Sequence, residues 1–267
     1  MITKVFGPPG SGKTTFLLNV VEKELADNTL SSQIGYFSFT RKAAGEARDR
    51  AIQKFPSLNA ETDFPWFRTL HSLAYHCLGA GAKDLMSAED YATFAKETGL
   101  EVSTSLEGDE YIVRADNAIL NEINIARIRG IDLRAHYNRS NMDIEWFYFE
   151  FVERAYRKFK AAHMLMDFTD LLERLIEQDE RLPALEVLIV DEAQDLSRLQ
   201  WKLVMALSEK ADRTFIAGDD DQAVYTWSGA DVESFLTCEG EVKILEQSYR
   251  VPAKVHFLAN SIVKRIQ

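Results

Sequence analysis

A chain of 267 residues, 46% hydrophobic and 27% charged, holds one large domain or two modest ones and is too apolar to be intrinsically disordered. Its 31 basic and 42 acidic residues leave a net charge of −11, which excludes a protein that coats nucleic acid with its whole surface and confines any nucleic-acid site to a local patch. Cys77 and Cys238 are too few for a disulfide framework, and no apolar stretch reaches membrane-spanning length, so a cytoplasmic setting with no membrane partner is expected.

Ile2 to Phe6 reads as a short apolar strand without a signal-peptide layout. It runs into Gly7-Pro8-Pro9-Gly10-Ser11-Gly12-Lys13-Thr14, which fits G-x-x-x-x-G-K-[ST], and then into the helical run Thr15 to Val21. Strand, glycine-rich loop and helix in that order make a phosphate cradle. The glycines let backbone N–H groups wrap a β-phosphate, and the helix N-terminus adds positive potential. Lys13 is placed to reach β and γ oxygens, and the Thr14 hydroxyl to ligate Mg²⁺. ATP and Mg²⁺ are the expected cofactors, with Gly7 through Thr15 as the nucleotide set.

Ile34 to Phe39, Val187 to Val190, Thr214 to Ala217 and Val242 to Leu245 are further apolar or β-branched runs separated by helical patterns, which reads as a parallel sheet in an α/β fold. Between about Tyr75 and Met164 the strand signal vanishes. Ser87 with Asp90 resembles a capping box and Gly99 a helix stop. A second helix is expected through Ile112, Ile119 and Ile123 toward Gly130, and Glu107 to Glu110 reads as a loop. Tyr148, Phe151, Val152, Ala155 and Phe159 repeat with the helical period. The simplest organisation is a sheet domain over 1–75 and 165–267, interrupted by an all-helical insertion over 76–164.

Asp191-Glu192 follows the most apolar strand. After a phosphate loop, such a pair suits Mg²⁺ binding by Asp191 and activation of the attacking water by Glu192; alone it would read as a solvated turn. The next strand ends in Gly218-Asp219-Asp220-Asp221-Gln222, where Gln222 is placed to sense a γ-phosphate. Tyr225 and Trp227 lie two apart, so in an extended segment they face the same way, either into a core or as a stacking platform for bases.

Together these segments resemble the UvrD/Rep-type superfamily 1 DNA helicases. Ser38 to Ala44 is similar to that family's motif Ia, Thr69-Leu70-His71-Ser72-Leu73 to motif Ib, and Asp167 to Leu172 to its D-F-x-D-L-L segment. Asp191 to Asp195 resembles motif II, Gly218 to Ala230 motif III, and Leu245 to Arg250 motif IV. The resemblance implies a RecA-like P-loop NTPase sheet with an inserted helical subdomain. It implies that Phe39, Tyr225 and Trp227 contact single-stranded DNA, with Thr40, Thr69 and His71 near its backbone, and that Gln222 and Arg250 approach the γ-phosphate. For His71 a structural hydrogen bond is the alternative, for Arg250 a surface salt bridge, and for Asp167 and Asp170 simple helix capping.

Three departures stand out. No glutamine motif precedes the phosphate loop, Arg41 replaces the usual Asn of motif Ia, and Ser228 replaces the usual Arg of motif III. The chain ends at Gln267, ahead of any second RecA-like domain, so the expected partners are single-stranded DNA and a second such domain in cis or in trans. The expected function is Mg²⁺-ATP hydrolysis coupled to movement along single-stranded DNA. A non-catalytic, nucleotide-gated DNA-binding module working with a partner chain is the alternative.

Overall fold

The computed structural model describes residues 1–59, 62–107, 112–223 and 229–250. In chain order the elements are β1 (Ile2–Phe6), α1 (Lys13–Ala26), β2 (Ile34–Ser38), α2 (Arg41–Lys54), β3 (Phe67–Arg68), α3 (Leu70–Leu78), α4 (Ala88–Thr98), β4 (Ser103–Glu107) and β5 (Ile112–Asp116). They continue with α5 (Ala118–Arg129), α6 (Leu133–Tyr137), α7 (Trp146–His163), α8 (Phe168–Glu177), β6 (Val187–Asp191), α9 (Arg198–Lys210), β7 (Arg213–Gly218), α10 (Val232–Thr237) and β8 (Glu241–Ile244). Among the described residues no helix is long and apolar enough to cross a membrane.

The chain divides into two compact units. The first takes Met1–Leu70, Pro183–Leu196 and the chain from Val204 onward; the second takes His71–Leu182 and Ser197–Leu203.

The first unit is built on a six-stranded sheet of order β3-β2-β6-β7-β1-β8, every pair parallel. β2 and β6 are buried along their whole lengths, as continuously apolar parallel strands should be. Among the described residues β8 pairs with β1 alone and its residues are exposed, which suits an edge strand carrying the charges Glu241 and Lys243. β3 is only two residues long, too short for a sequence pattern. Register aligns Phe6 of β1 with Gly218 of β7 and Ile244 of β8, and Ser38 of β2 with Asp191 of β6. All the segments that follow these residues therefore leave from the carboxyl edge of the sheet, where ligands of open parallel sheets collect.

The second unit is helical, with one exception that corrects the expectation of an entirely helical insertion: β4 and β5 form an antiparallel pair, Ser103 opposite Asp116. Ile112 accordingly belongs to a strand rather than to the expected helix. That helix, α5, begins only at Ala118 because Asn117 caps it, its side chain accepting from Ile119 N and Leu120 N at 3.0 and 3.1 Å. Ser87 and Asp90 do form the capping box of α4, and Gly99 ends it in the left-handed conformation.

α7 is helical as its periodicity predicts, but the buried stripe is Phe149, Val152, Tyr156 and Phe159. Tyr148 and Phe151 are exposed, and Phe147 is 80% exposed. So many apolar residues lie in this helix that two neighbouring stripes satisfy the helical period, and only packing against α4 and α5 selects one.

α8 groups with the second unit through charge. Asp167 caps it and forms a capping box with Asp170. Both carboxylates also pair with Lys160 of α7, Asp167 at 2.5 Å, while Arg127 of α5 donates to Asp167 at 2.7 Å, to Asp170 and to Glu173 at 2.6 Å. Burial by itself would raise the Asp167 carboxyl, but Arg127 and Lys160 outweigh it and hold the group well below the usual carboxylate range.

Candidate functional site

The phosphate loop turns directly off β1. Gly10 and Gly12 adopt φ of 71° and 89°, a left-handed backbone that only glycine takes without strain. Gly10 is constrained twice, since a Cβ there would overlap the Cβ of Arg250. Gly12 caps α1 with no side-chain acceptor, leaving that helix's first N–H groups facing the loop. Lys13 is buried, and its Nζ donates to the carbonyls of Gly7 at 2.6 Å and Pro8 at 3.4 Å rather than to a carboxylate. The Ser11 hydroxyl is buried with no hydrogen-bond partner among the described residues. A buried cation held by carbonyls, an orphaned hydroxyl and uncapped amides fit a polyphosphate. Thr15 is exposed on the first turn of α1.

Thr14 Oγ1 donates to Asp191 Oδ2 at 3.0 Å, joining the loop to the end of β6. Asp191 is 2% exposed. Burial pushes its carboxyl up and the Glu192 charge adds to this, while hydroxyl donors oppose it. One such donor is Tyr36 on β2, whose OH lies 2.7 Å from the same Oδ2. Burial and the adjacent carboxylate keep this phenol protonated well past its usual range. A hard oxygen pair, Thr14 with Asp191, suits Mg²⁺ in the company of phosphate oxygens.

Glu192 stands in the left-handed region at φ 54°, a conformation costing about 1–3 kcal/mol for a non-glycine residue and concentrated at functional sites. Its carboxylate accepts from Gln194 Nε2 at 2.9 Å. Gln194 Oε1 in turn accepts from Asp219 N at 3.0 Å, and Gln222 Nε2 donates to Asp219 Oδ2. Glu192 and Gln222 are thus connected across the ends of β6 and β7 through Gln194 and Asp219. Asp195 beside them is pushed up to about 6 by burial and by Glu192.

The segment after β8 lies against the loop. Ser248 Oγ donates to Pro9 O at 2.6 Å and Tyr249 N to Gly10 O at 2.9 Å, which brings exposed Arg250 beside Gly10. The site therefore gathers Gly7 to Thr14, Asp191, Glu192, Gln222 and Arg250 within the first unit. Sequence reasoning gave no role to Tyr36, Gln194, Asp219 or Ser248. For Gln194 a signal existed in its place within Asp191 to Asp195; Tyr36 looks like any apolar strand residue.

A family model described as the UvrD/REP helicase N-terminal domain matches residues 2–243. The chain belongs to that family. Similar UvrD/Rep relatives include DNA helicase II of Haemophilus influenzae, 30% identical over 280 residues that cover 97% of this chain and 38% of that relative. ATP-dependent DNA helicase PcrA of Bacillus subtilis is 26% identical over 96% of this chain and 36% of its own length. ATP-dependent DNA helicase Rep of Buchnera aphidicola is 24% identical over 95% and 39%. The chain spans less than two fifths of the length of these curated relatives.

The residues that the UvrD/Rep resemblance assigns to DNA divide between the two units. In the first, Phe39 follows β2 and is 38% exposed, Thr40 caps α2 by accepting from Ala43 N at 3.2 Å, and Thr69 follows β3, half-buried. In the second, His71 stacks on Phe168 with ring centroids 3.7 Å apart. Tyr225 and Trp227 lie outside the described residues. Asp167 and Asp170 take the capping role, within the ionic cluster described above.

Proposed function

We propose that this chain is the ATP-binding and ATP-hydrolysing portion of a helicase that moves along single-stranded DNA. The observation that carries the reading is the junction of Lys13, Thr14 and Asp191 at the sheet's carboxyl edge, with Glu192 held beside it. Mg²⁺ held by Thr14 and Asp191 would neutralise charge on the β and γ phosphate oxygens. The Lys13 ammonium exchanges its carbonyl partners for phosphate oxygens. Glu192 takes a proton from the attacking water as its oxygen bonds to the γ-phosphorus and the bond to the β–γ bridging oxygen breaks, releasing ADP and inorganic phosphate. Gln222 and Arg250 contact the γ-phosphate, Arg250 offsetting the charge of the transferring group. Lost contacts on phosphate release pass from Gln222 through Asp219 and Gln194 to the ends of β6 and β7.

Single-stranded DNA is the second ligand, contacted by Phe39, Thr40 and Thr69 together with Tyr225 and Trp227. The exposure of Phe39 and the acidity of the chain favour stacking over a broad basic surface. A second RecA-like domain, in cis or in trans, converts cleft closure into movement; the greater length of the relatives supports it. A cytoplasmic setting accords with this chemistry.

Phe39→Ala is expected to weaken binding of an oligothymidine about 5–150-fold, equivalent to about 1–3 kcal/mol for one stacked base, with the protein still melting cooperatively. Fluorescence anisotropy measures it. Unaltered affinity would remove Phe39 from the DNA surface.

A further inference from the structure

The hydrolysis proposed above gives no task to Tyr36. This residue is fully buried in β2, its ring stacked on that of Phe67 at a centroid distance of 5.4 Å and an angle of 20°. In the β2–β6 register Tyr36 pairs with Ile189, two residues short of Asp191. Residues two apart on a strand share a face at a spacing of about 6.6 Å, comparable to the reach of a tyrosine side chain, so a tyrosine at this register delivers its hydroxyl to the end of the neighbouring strand. A phenylalanine here would keep the buried ring and its stack on Phe67 but would leave the carboxylate without this donor.

The Asp191 carboxylate receives three donors: Tyr36 OH and Thr14 Oγ1 on Oδ2, and the Glu192 amide on Oδ1 at 3.0 Å. These donors differ in what they do when a cation arrives. Thr14 must turn its oxygen lone pair toward the metal, which reorients its hydroxyl. The tyrosine hydroxyl stays, because the stacked and buried ring cannot move it elsewhere. We infer that Tyr36 is a positioning residue for the divalent cation, its hydroxyl fixing the rotation of the Asp191 carboxylate so that a lone pair is presented to the metal before the metal binds. This inference rests on the proposed role of Asp191. Partners that orient a metal ligand are worth about 10–100-fold in metal affinity.

The test uses the purified chain saturated with ADP and titrated with Mn²⁺, free Mn²⁺ being read from its electron paramagnetic resonance signal. Tyr36→Phe retains the ring and its stack on Phe67, so a cooperative melt is expected. Its Mn²⁺ affinity should fall about 10–100-fold, while its affinity for ADP in EDTA, measured by calorimetry, stays at the parental value. A merely structural role would weaken both together, and that result overturns the inference. So does an unchanged or tighter Mn²⁺ affinity. Asp191→Ala in the same titration separates the two levels. If it abolishes Mn²⁺ binding while Tyr36→Phe does not weaken it, the inference alone fails. If Asp191→Ala binds Mn²⁺ as the parent does, the proposed role of Asp191 fails and the inference with it.

Discussion

Glu192→Gln is expected to bind Mg²⁺-nucleotide as tightly as the unaltered chain and to lose about 10²–10⁴-fold in turnover, the usual worth of a positioned general base. The amide is isosteric with the carboxylate, so the left-handed backbone at Glu192 and the bridge through Gln194 to Asp219 can persist, with the new amide turning its own oxygen toward Gln194 Nε2. What disappears is the ability to accept a proton from water. Binding measured with a fluorescent nucleotide and turnover measured by phosphate release should therefore separate cleanly. The same variant distinguishes the hydrolytic reading from a nucleotide-gated binding module, since a module that does not hydrolyse ATP has no turnover for the substitution to remove. Parental turnover in Glu192→Gln would take the proton-accepting role away from this residue.

The second large effect is on stability, and it lies in the second unit. Arg127→Leu leaves Asp167 and Asp170 with Lys160 as their remaining cation and leaves Glu173 without its arginine. Removing one partner of a buried ion pair strands the others, and the expected cost is about 3–5 kcal/mol at neutral pH. The pH dependence has a definite sign. In the parent, Asp167 has a depressed folded-state pKa, so its contribution is complete above the unfolded value of about 3.9 and is lost as pH falls through the lower folded value. In Arg127→Leu, burial is opposed by Lys160 and the Asp170 amide without the arginine, the folded-state pKa of Asp167 rises, and the carboxyl protonates earlier in the folded protein. The difference between variant and parent should consequently be complete above about pH 4 and shrink as the pH falls below it. Urea denaturation across this range measures it. Asp167→Asn keeps an N-cap acceptor while removing the charge, so the double variant should lose less stability than the sum of the two single changes.

What the sequence discloses about this chain follows from how local each signal is. The phosphate loop is legible because its glycines, lysine and threonine are contiguous and β1 and α1 flank them. The buried strands are legible because parallel pairing makes them apolar on both faces, as in Val187 to Val190. The capping box of α4 is legible for the same reason, being written within four residues. Features fixed by distant partners are not. Arg127 lies 40 residues from Asp167, and Tyr36 lies 155 residues from Asp191; no window contains either pair. β3 is too short to show alternation, and the start of α5 turns on one asparagine that competes with a longer apolar pattern through Ile112. In α7 periodicity gives the helix but does not fix its buried face, because Tyr148 and Phe151 are as apolar as Phe149 and Tyr156. Within the candidate site, residues named for their type are brought together around the loop, whereas Gln194, Asp219 and Ser248 acquire their places only through hydrogen bonds that close in three dimensions.

The proposed function stands on the loop between β1 and α1 holding a Mg²⁺-nucleoside triphosphate through Lys13. Isothermal titration of a slowly hydrolysed ATP analogue into the purified 267-residue chain in Mg²⁺, with Lys13→Ala as its partner experiment, tests it most directly. One site per chain is expected in the parent and no measurable binding in Lys13→Ala, with both proteins melting cooperatively. An absence of binding in the folded parent, or equal binding by Lys13→Ala, would contradict it.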